Sequence, residues 1–275
     1  MRTAIVAIAL LTASVPKAHA EDWMPVCGDA MFEPTELGLR DSGFDQTRSA
    51  CVGNAFRTQA RGSALIATDD FFGTVAASWF VSLRRVALKT IELELGARVL
   101  DYRFAQNAIV TRTETSLGPI FAAVTQTFRT KWLGLPVAWA PSLRIDVPRT
   151  DTGYEITTFA ATPALLATTG PSEQFRFHAR LAALLFSASP PSGVYSQFAG
   201  ALSLDSTYRP SWWFATSLGV EAQSGWHGPF DHLLVRGTIR FALGRNNRLD
   251  IAAAAPVFGE ERTTLLLQLG FSRAM

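Results

Sequence analysis

Charged side chains recur at every second position along several apolar segments of this 275-residue chain. Arg176, His178 and Arg180 are spaced in this way, and so are Glu92 and Glu94. Side chains two residues apart lie on the same face of an extended strand. Guanidinium groups beside carboxylates can bind small charged solutes, or they can neutralise one another. The candidate set has seven acids, seven arginines and one histidine: Glu92, Glu94, Arg98, Arg144, Asp146, Glu155, Arg176, His178, Arg180, Asp205, Glu221, Arg236, Arg240, Arg248 and Asp250.

The segment 90–102, TIELELGARVLDY, shows most clearly which element positions these side chains. Apolar residues such as Leu93 and Leu95 alternate with Glu92, Glu94 and Arg98. Strict alternation predicts a strand with one apolar and one polar face, because a helix would spread the charges around its circumference. The segment is longer than the usual globular strand of about 5–6 residues. It suits a tilted strand that crosses a bilayer, which needs roughly 9–11 residues.

The alternation recurs often enough to predict a closed architecture. Short turns follow the even-numbered segments and longer connections, such as 103–115, follow the odd-numbered ones. An even strand number with this asymmetry is typical of bacterial outer-membrane barrels. We therefore predict an all-β, antiparallel, up-and-down transmembrane β-barrel of about 12 strands, in preference to a soluble β fold. The predicted segments are 59–68, 74–83, 90–102, 116–130, 136–147, 154–168, 175–187, 194–208, 212–223, 232–243, 248–256 and 263–275.

Three prolines oppose this assignment. Pro119, Pro141 and Pro163 lie inside predicted strands, and each removes one backbone donor from the ladder. A backbone group that lacks a hydrogen-bond partner costs free energy in lipid. The prolines therefore predict either bulges or a shorter strand at one of these places.

The N-terminus predicts export. Residues 1–20 combine Arg2, a short apolar run and a small-x-small end at 18–20, which is the layout of a secretory signal peptide. Residues 21–55 show no sustained periodicity, and we expect them to form a periplasmic cap or plug before the barrel at 56–275. Cys27 and Cys51 lie in this segment, and an oxidising compartment favours a disulfide between them.

Charge and motif content exclude several partners. Removal of Arg2 and Lys17 with the signal peptide leaves 23 basic and 23 acidic residues, so the mature formal charge is zero. A nucleic-acid partner usually requires a clustered basic excess. The sequence has no phosphate-binding glycine loop and no metal-ligand cluster, and two cysteines without a nearby histidine provide too few ligands for a metal. We expect no cofactor and no nucleic-acid partner.

The last eight residues carry a resemblance. Gln268, Gly270 and Met275 resemble the C-terminal assembly signal of Gram-negative outer-membrane β-barrel proteins. Arg273 departs from that pattern, and Met275 stands where an aromatic residue is usual. The resemblance is to the class and to no specific family. It implies a location in the bacterial outer membrane, with its lipid and its assembly machinery as partners.

Three functional hypotheses follow. The first is a narrow, porin-like channel that transports small polar or charged solutes through a mixed Arg/acid lumen; its alternative is a closed, ion-paired barrel with no transport role. The second is a lipid hydrolase, for which Ser224 and His227 are the available pair. The third is a recognition protein that binds through the connection 103–115. We predict the channel, and no enzyme.

Overall fold

A computed structural model describes residues 50–66, 73–106, 111–116, 120–146, 157–189, 195–224, 232–259 and 263–274. These residues form fourteen strands. Among them, no helix has the length and apolar character needed to cross a membrane. The strands are β1 Ala55–Ile66, β2 Gly73–Leu88, β3 Ile91–Gln106, β4 Thr111–Ser116, β5 Ile120–Gln126, β6 Phe128–Trp132, β7 Leu135–Asp146, β8 Thr157–Thr169, β9 Phe175–Ser189, β10 Tyr195–Ser211, β11 Phe214–Ser224, β12 His232–Ala242, β13 Asn247–Gly259 and β14 Thr263–Ala274.

The strands form a closed antiparallel meander. Apart from β4, β5 and β6, each pairs with its neighbours in the sequence, and β1 pairs with β14 from Ala55↔Ala274 onwards, which closes the ring. The strands β4, β5 and β6 are successive pieces of one barrel strand, because β4 and β5 both pair with β3, while β5 and β6 both pair with β7. We call each complete strand of the barrel wall, whether continuous or interrupted, a stave. The barrel therefore has twelve staves, and the predicted all-β, antiparallel barrel of about 12 strands is confirmed.

Two of the three prolines lie at breaks in the ladder. Pro141 lies in β7 between the residues that pair with β5 and those that pair with β6, opposite the point where the stave is interrupted at Thr127. Pro163 lies in β8 where the pairing with β9 skips from Ala161 to Ala164. A proline cannot donate a ladder hydrogen bond, so these interruptions occur where a donor is missing. Pro119 lies outside the described residues.

The alternation of side chains is inverted relative to a soluble protein. In β5, the apolar Ile120 and Val124 are exposed, whereas Thr125 is buried. The same holds around the ring, where exposed leucine, phenylalanine and tryptophan side chains alternate with buried polar ones. The inner face of the barrel thus carries the polar and charged side chains, together with small apolar ones such as Ala123, and the outer face is apolar.

One end of the barrel is made of tight turns. The five turns 89–90, 133–134, 170–174, 212–213 and 243–246 all lie at this end, together with the beginning of β1 and the end of β14. In the turn 133–134, Leu133 and Gly134 both have positive φ angles, of 51° and 81°. Positive φ at both central residues is typical of the two-residue hairpin turn that matches strand twist. We call this end the turn end, and the opposite end the loop end.

Two of the predicted connections were wrong. The range 103–115 is largely strand, since β3 continues to Gln106 and pairs with β4 from Asp101↔Ser116 to Gln106↔Thr111. Ladder hydrogen bonds need only backbone groups, so a hairpin can continue through polar residues that carry no apolar signal. The predicted turn at 209–211 also belongs to β10, which ends in a bulge between Tyr208 and Ser211.

Aromatic side chains cluster near the turn end. Phe128 stacks on Trp139 with ring centroids 4.4 Å apart, and Phe175 stacks on Tyr208 at 4.6 Å. Aromatic rings with a polar edge favour the boundary between lipid and water. Their position agrees with a girdle at that boundary.

Candidate functional site in the barrel lumen

The structure buries thirteen of the fifteen candidate residues on the inner face. Arg98 is half-buried, and its guanidinium lies 4.9 Å from the centroid of the Phe80 ring. Glu155 lies outside the described residues. The thirteen are Glu92, Glu94, Arg144, Asp146, Arg176, His178, Arg180, Asp205, Glu221, Arg236, Arg240, Arg248 and Asp250.

The most extensive network joins β9, β10, β11 and β12. Glu221 accepts from Arg180 Nη2 at 2.9 Å and from Arg236 Nη1 at 3.1 Å. Arg236 also binds Asp205 through two nitrogens, at 2.8 Å and 2.5 Å. Gln223 donates to the second Glu221 oxygen at 2.7 Å. Two carboxylates thus hold two guanidinium groups flat along the wall, an arrangement that the fork-shaped Arg side chain favours.

Gly219 makes room for this network. A Cβ atom at Gly219 would lie 2.8 Å from Asp205 Cγ and 2.9 Å from Arg236 Nε, and it would also overlap Asp205 Oδ1. The absent side chain therefore lets the ion pair lie against the backbone of β11. Close approach of this kind is one physical role of glycine inside a strand.

A second group of charges lies on β12 and β13, and a third on β2 and β3. Asp250 lies between Arg240 Nε at 3.2 Å and Arg248 Nη2 at 3.0 Å. Further round the ring, Arg84 lies 3.3 Å from Glu94 and 3.8 Å from Glu92. The buried Arg57 and Arg84 are two functional candidates that the sequence did not predict. The first predicted strand begins at residue 59 and the second ends at residue 83, so both arginines fall just outside the predicted bounds. Continuing the same alternation by one step at each boundary would have found both.

Arg144 and Asp146 form a local pair near the loop end. Arg144 Nη2 lies 2.5 Å from an Asp146 oxygen, and its guanidinium carbon lies 3.9 Å from the centroid of the Phe121 ring. The ring and the carboxylate together hold the cation by an ion pair and a cation–π contact.

Arg176 and His178 lie near the turn end, where Arg176 binds backbone carbonyls and His178 lies beside a threonine hydroxyl. Arg176 Nη1 donates to the carbonyl oxygens of Ser172 and Phe175. His178 Nδ1 lies 3.0 Å from Thr168 Oγ1. The ion pairs given above join residues of the same or nearby strands, so acids and bases meet along the wall. The sequence pattern alone did not show which acid pairs with which base.

The loop-end half of the lumen carries an apolar patch. Ala182, Leu184, Ala199 and Ala201 are contiguous inner-face residues of β9 and β10, and their side chains are only 1–4 % exposed. We call these four residues the lumen apolar patch. The charged positions drew attention in the sequence, and the small apolar residues on the same face carried no comparable signal.

Residues 50–54 lie inside the barrel rather than in its wall. The amide of Gly53 donates to Glu92 Oε2 at 2.8 Å, and the side chain of Asn54 accepts from the amide of Val86 at 2.8 Å. Ala50 packs against inner-face residues of β7 and β8. The chain therefore runs inside the barrel at the turn end, from β8 towards β2, before it enters β1.

Hydrogen bonds fix Ala50, the first described residue of this segment. The amide of Ala50 donates to Thr168 Oγ1 at 3.0 Å, and its carbonyl accepts from Thr127 Oγ1 at 2.5 Å. Cys51 is half-buried beside it. Cys27 lies outside the described residues, so the disulfide between the two remains a prediction.

The remaining candidates fall in the wall or outside the described residues. Gln268 and Gly270 are buried on the inner face of β14. Met275 lies outside the described residues. Ser224 ends β11, and His227, its partner in the hydrolase hypothesis, lies outside the described residues. Within the described part of the chain, no group of three His, Cys, Asp or Glu side chains could hold a metal ion.

Comparison with known proteins gives a likeness of fold. No protein-family model and no curated protein matches the sequence. An outer-membrane channel from Pseudomonas putida F1 aligns over 87 % of this chain and 100 % of its own, at 10 % identity and a TM-score of 0.65. The NanC porin aligns over 81 % and 100 %, at 9 % identity and a TM-score of 0.52.

The similar structures include channels, porins and an autotransporter domain. The β domain of the Bordetella autotransporter BrkA aligns over 82 % of this chain and 100 % of its own, at 12 % identity and a TM-score of 0.51. The chain therefore has the fold of outer-membrane β-barrel proteins, as the class-level resemblance of its C-terminus implied.

Proposed function

We propose that this chain is a bacterial outer-membrane channel for small polar or charged solutes. Residues 1–20 would direct its export, and outer-membrane lipid and the outer-membrane assembly machinery would be its partners. The observation that carries the proposal is a closed twelve-stave barrel with an apolar outer face and a charged inner face. The likeness to an outer-membrane channel over the whole of that protein supports it.

The size of the barrel fits a narrow passage. A barrel of about eight strands can be filled by its own side chains, and one of 16–18 strands leaves a wide aqueous channel. Twelve staves lie between these limits. The ion pairs described above join strands of the same wall, from β9 to β12 and from β12 to β13.

The charge of the wall indicates which solutes it favours. The buried charged residues comprise eight arginines and six carboxylates, an excess of two positive charges among the described residues. Rings of guanidinium groups in a pore favour anions over cations. We therefore propose a modest preference for small anions, with Arg176 and Arg180 at one end of the positively charged wall.

Planar-bilayer recording tests this function. The purified, folded protein should give discrete conductance steps, and the double substitution Arg176→Ala with Arg180→Ala should move the reversal potential in a salt gradient towards cation selectivity. The substitution Arg245→Ala, in an exposed turn, is the matched control and should leave selectivity unchanged. Folding of each variant is checked by its heat-modifiable mobility on a gel. A folded protein that leaves the bilayer silent contradicts the channel.

The second candidate is a closed structural barrel without transport. The lateral pairing of acids and bases favours it, because a wall that satisfies its own charges needs no solute. Silent bilayers would support this candidate. We propose no catalytic function, and lipase and deacylase assays on the same preparation, with and without calcium, check that point.

A further inference from the structure

The first observation concerns the direction in which the chain leaves β1. Read backwards from Ala55, residues 54 to 50 run inside the barrel from β2 and β3 towards β6, β7 and β8, which follow β3 in the ring. Ala50 is 0 % exposed and is bound through both its amide and its carbonyl to inner-face threonines. A segment that left the barrel directly for the periplasm would not be held against the inner wall in this way. Residue 49 is therefore attached to a point inside the lumen.

The second observation is that the lumen apolar patch is covered. A leucine that projects from a concave wall into open water would be accessible, yet Leu184 is 1 % exposed. Apart from 50–54, every described residue belongs to a strand or to a connection within a stave or at the turn end. Ala160 and Ala164 of β8 pack against the patch from within the wall. Ala164 also packs against the cluster of Ala50, Ala138, Ala140 and Leu166, so the patch adjoins the place where Ala50 is bound. The chain that precedes Ala50 therefore starts beside the patch.

The third observation is the charge and length of the chain that precedes Ala50. Residues 21–49 carry seven acids against two arginines, a formal charge of −5, together with Trp23, Met31, Phe32 and Phe44. The described lumen wall has the opposite excess, of two positive charges. Twenty-nine residues reach up to about 95 Å when extended. A tilted strand of 15 residues, such as β9, spans only roughly 40 Å along the barrel axis.

We propose that residues 21–49 dock inside the barrel, with apolar side chains on the lumen apolar patch and carboxylates towards the buried arginines. The predicted disulfide between Cys27 and Cys51 would tie the segment back to the point where it enters the lumen. The contacts of 50–54, the burial of the patch and the charge of 21–49 support this docking. Only its consequence for conductance depends on the proposed channel function. A docked segment narrows the passage, and it would decide how far the lumen is open.

Photo-crosslinking tests the docking directly. The substitution Leu184→p-benzoylphenylalanine places a photoreactive group on the lumen apolar patch, and Leu185→p-benzoylphenylalanine places the same group on the outer face, where Leu185 is 48 % exposed. After irradiation of the full-length, folded protein, mass spectrometry should find the Leu184 variant joined to peptides from 21–49. The Leu185 variant should give no such product. Crosslinks from position 184 to loop-end connections such as 147–156, or to wall peptides alone, would overturn the proposal.

Deletion separates this proposal from the channel itself. A variant that lacks 22–49 and carries Cys51→Ser should conduct at least about twofold more than full-length protein with Cys51→Ser alone. If both are silent while the Leu184 crosslink forms, the docking holds and the channel function fails. If the crosslink is absent, the docking fails whatever the conductance.

Discussion

Replacement of Glu221 by glutamine should lower the free energy of unfolding by about 3 kcal/mol. Glu221 is fully buried and accepts from Arg180 at 2.9 Å, Arg236 at 3.1 Å and Gln223 at 2.7 Å. Removing one member of a buried ion pair costs about 3–5 kcal/mol, because it leaves a charge without compensation. The lower end of this range applies to Glu221→Gln, since Arg236 keeps both of its hydrogen bonds to Asp205.

The assay is urea unfolding of the detergent-solubilised barrel, followed by tryptophan fluorescence. Glu173→Gln, in the exposed turn 170–174, is the control and should cost less than about 1 kcal/mol. A combined variant, Arg180→Met with Glu221→Met, should lose less stability than the two single changes added together, by about 0.5–3 kcal/mol. An equal effect of Glu221→Gln and Glu173→Gln would refute the buried network.

Three further predictions concern backbone packing, lipid contact and covalent structure. Gly219→Ala should destabilise by about 1–3 kcal/mol, because the new Cβ displaces the ion pair beside it, whereas Gly237→Ala, which meets nothing within 4 Å, should be neutral in the same urea titration. On the outer face, Leu202→Arg should cost about 2–4 kcal/mol in lipid vesicles and Leu202→Ala clearly less; equal costs would place that face away from lipid. Thiol titration of the unreduced, unfolded protein should find no reactive Cys27 or Cys51, and reduction should lower stability by about 3 kcal/mol; two free thiols would refute the disulfide.

The number of staves was predictable because alternation is a property of the sequence itself. A strand between lipid and a polar lumen needs an apolar residue at every second position, so each stave, including 90–102, carries its own signal. The strand boundaries were less predictable. Beyond the bilayer both faces are polar, so the continuation of β3 to Gln106 and the start of β4 at Thr111 left no alternation to detect.

The pairing of the charged residues could not be predicted from the sequence. Periodicity assigns a side chain to a face, but partners depend on the register between strands and on which positions are glycine. Arg180 reaches Glu221 two strands away, and Arg236 reaches Asp205 across the space that Gly219 leaves open. The course of 50–54 inside the barrel was equally hidden, because it depends on single hydrogen bonds such as that from Ala50 to Thr168.

The central claim is that the apolar face of the barrel contacts lipid. The five described tryptophans are all exposed: Trp79, Trp132 and Trp139 on the strands of that face, and Trp212 and Trp213 in the turn beside it. The direct measurement is tryptophan fluorescence of the protein in vesicles of brominated phospholipid, compared with the same vesicles without bromine, since bromine quenches indoles that it contacts. We predict that most of the emission is lost in the brominated vesicles. Equal emission in the two kinds of vesicle would contradict the account.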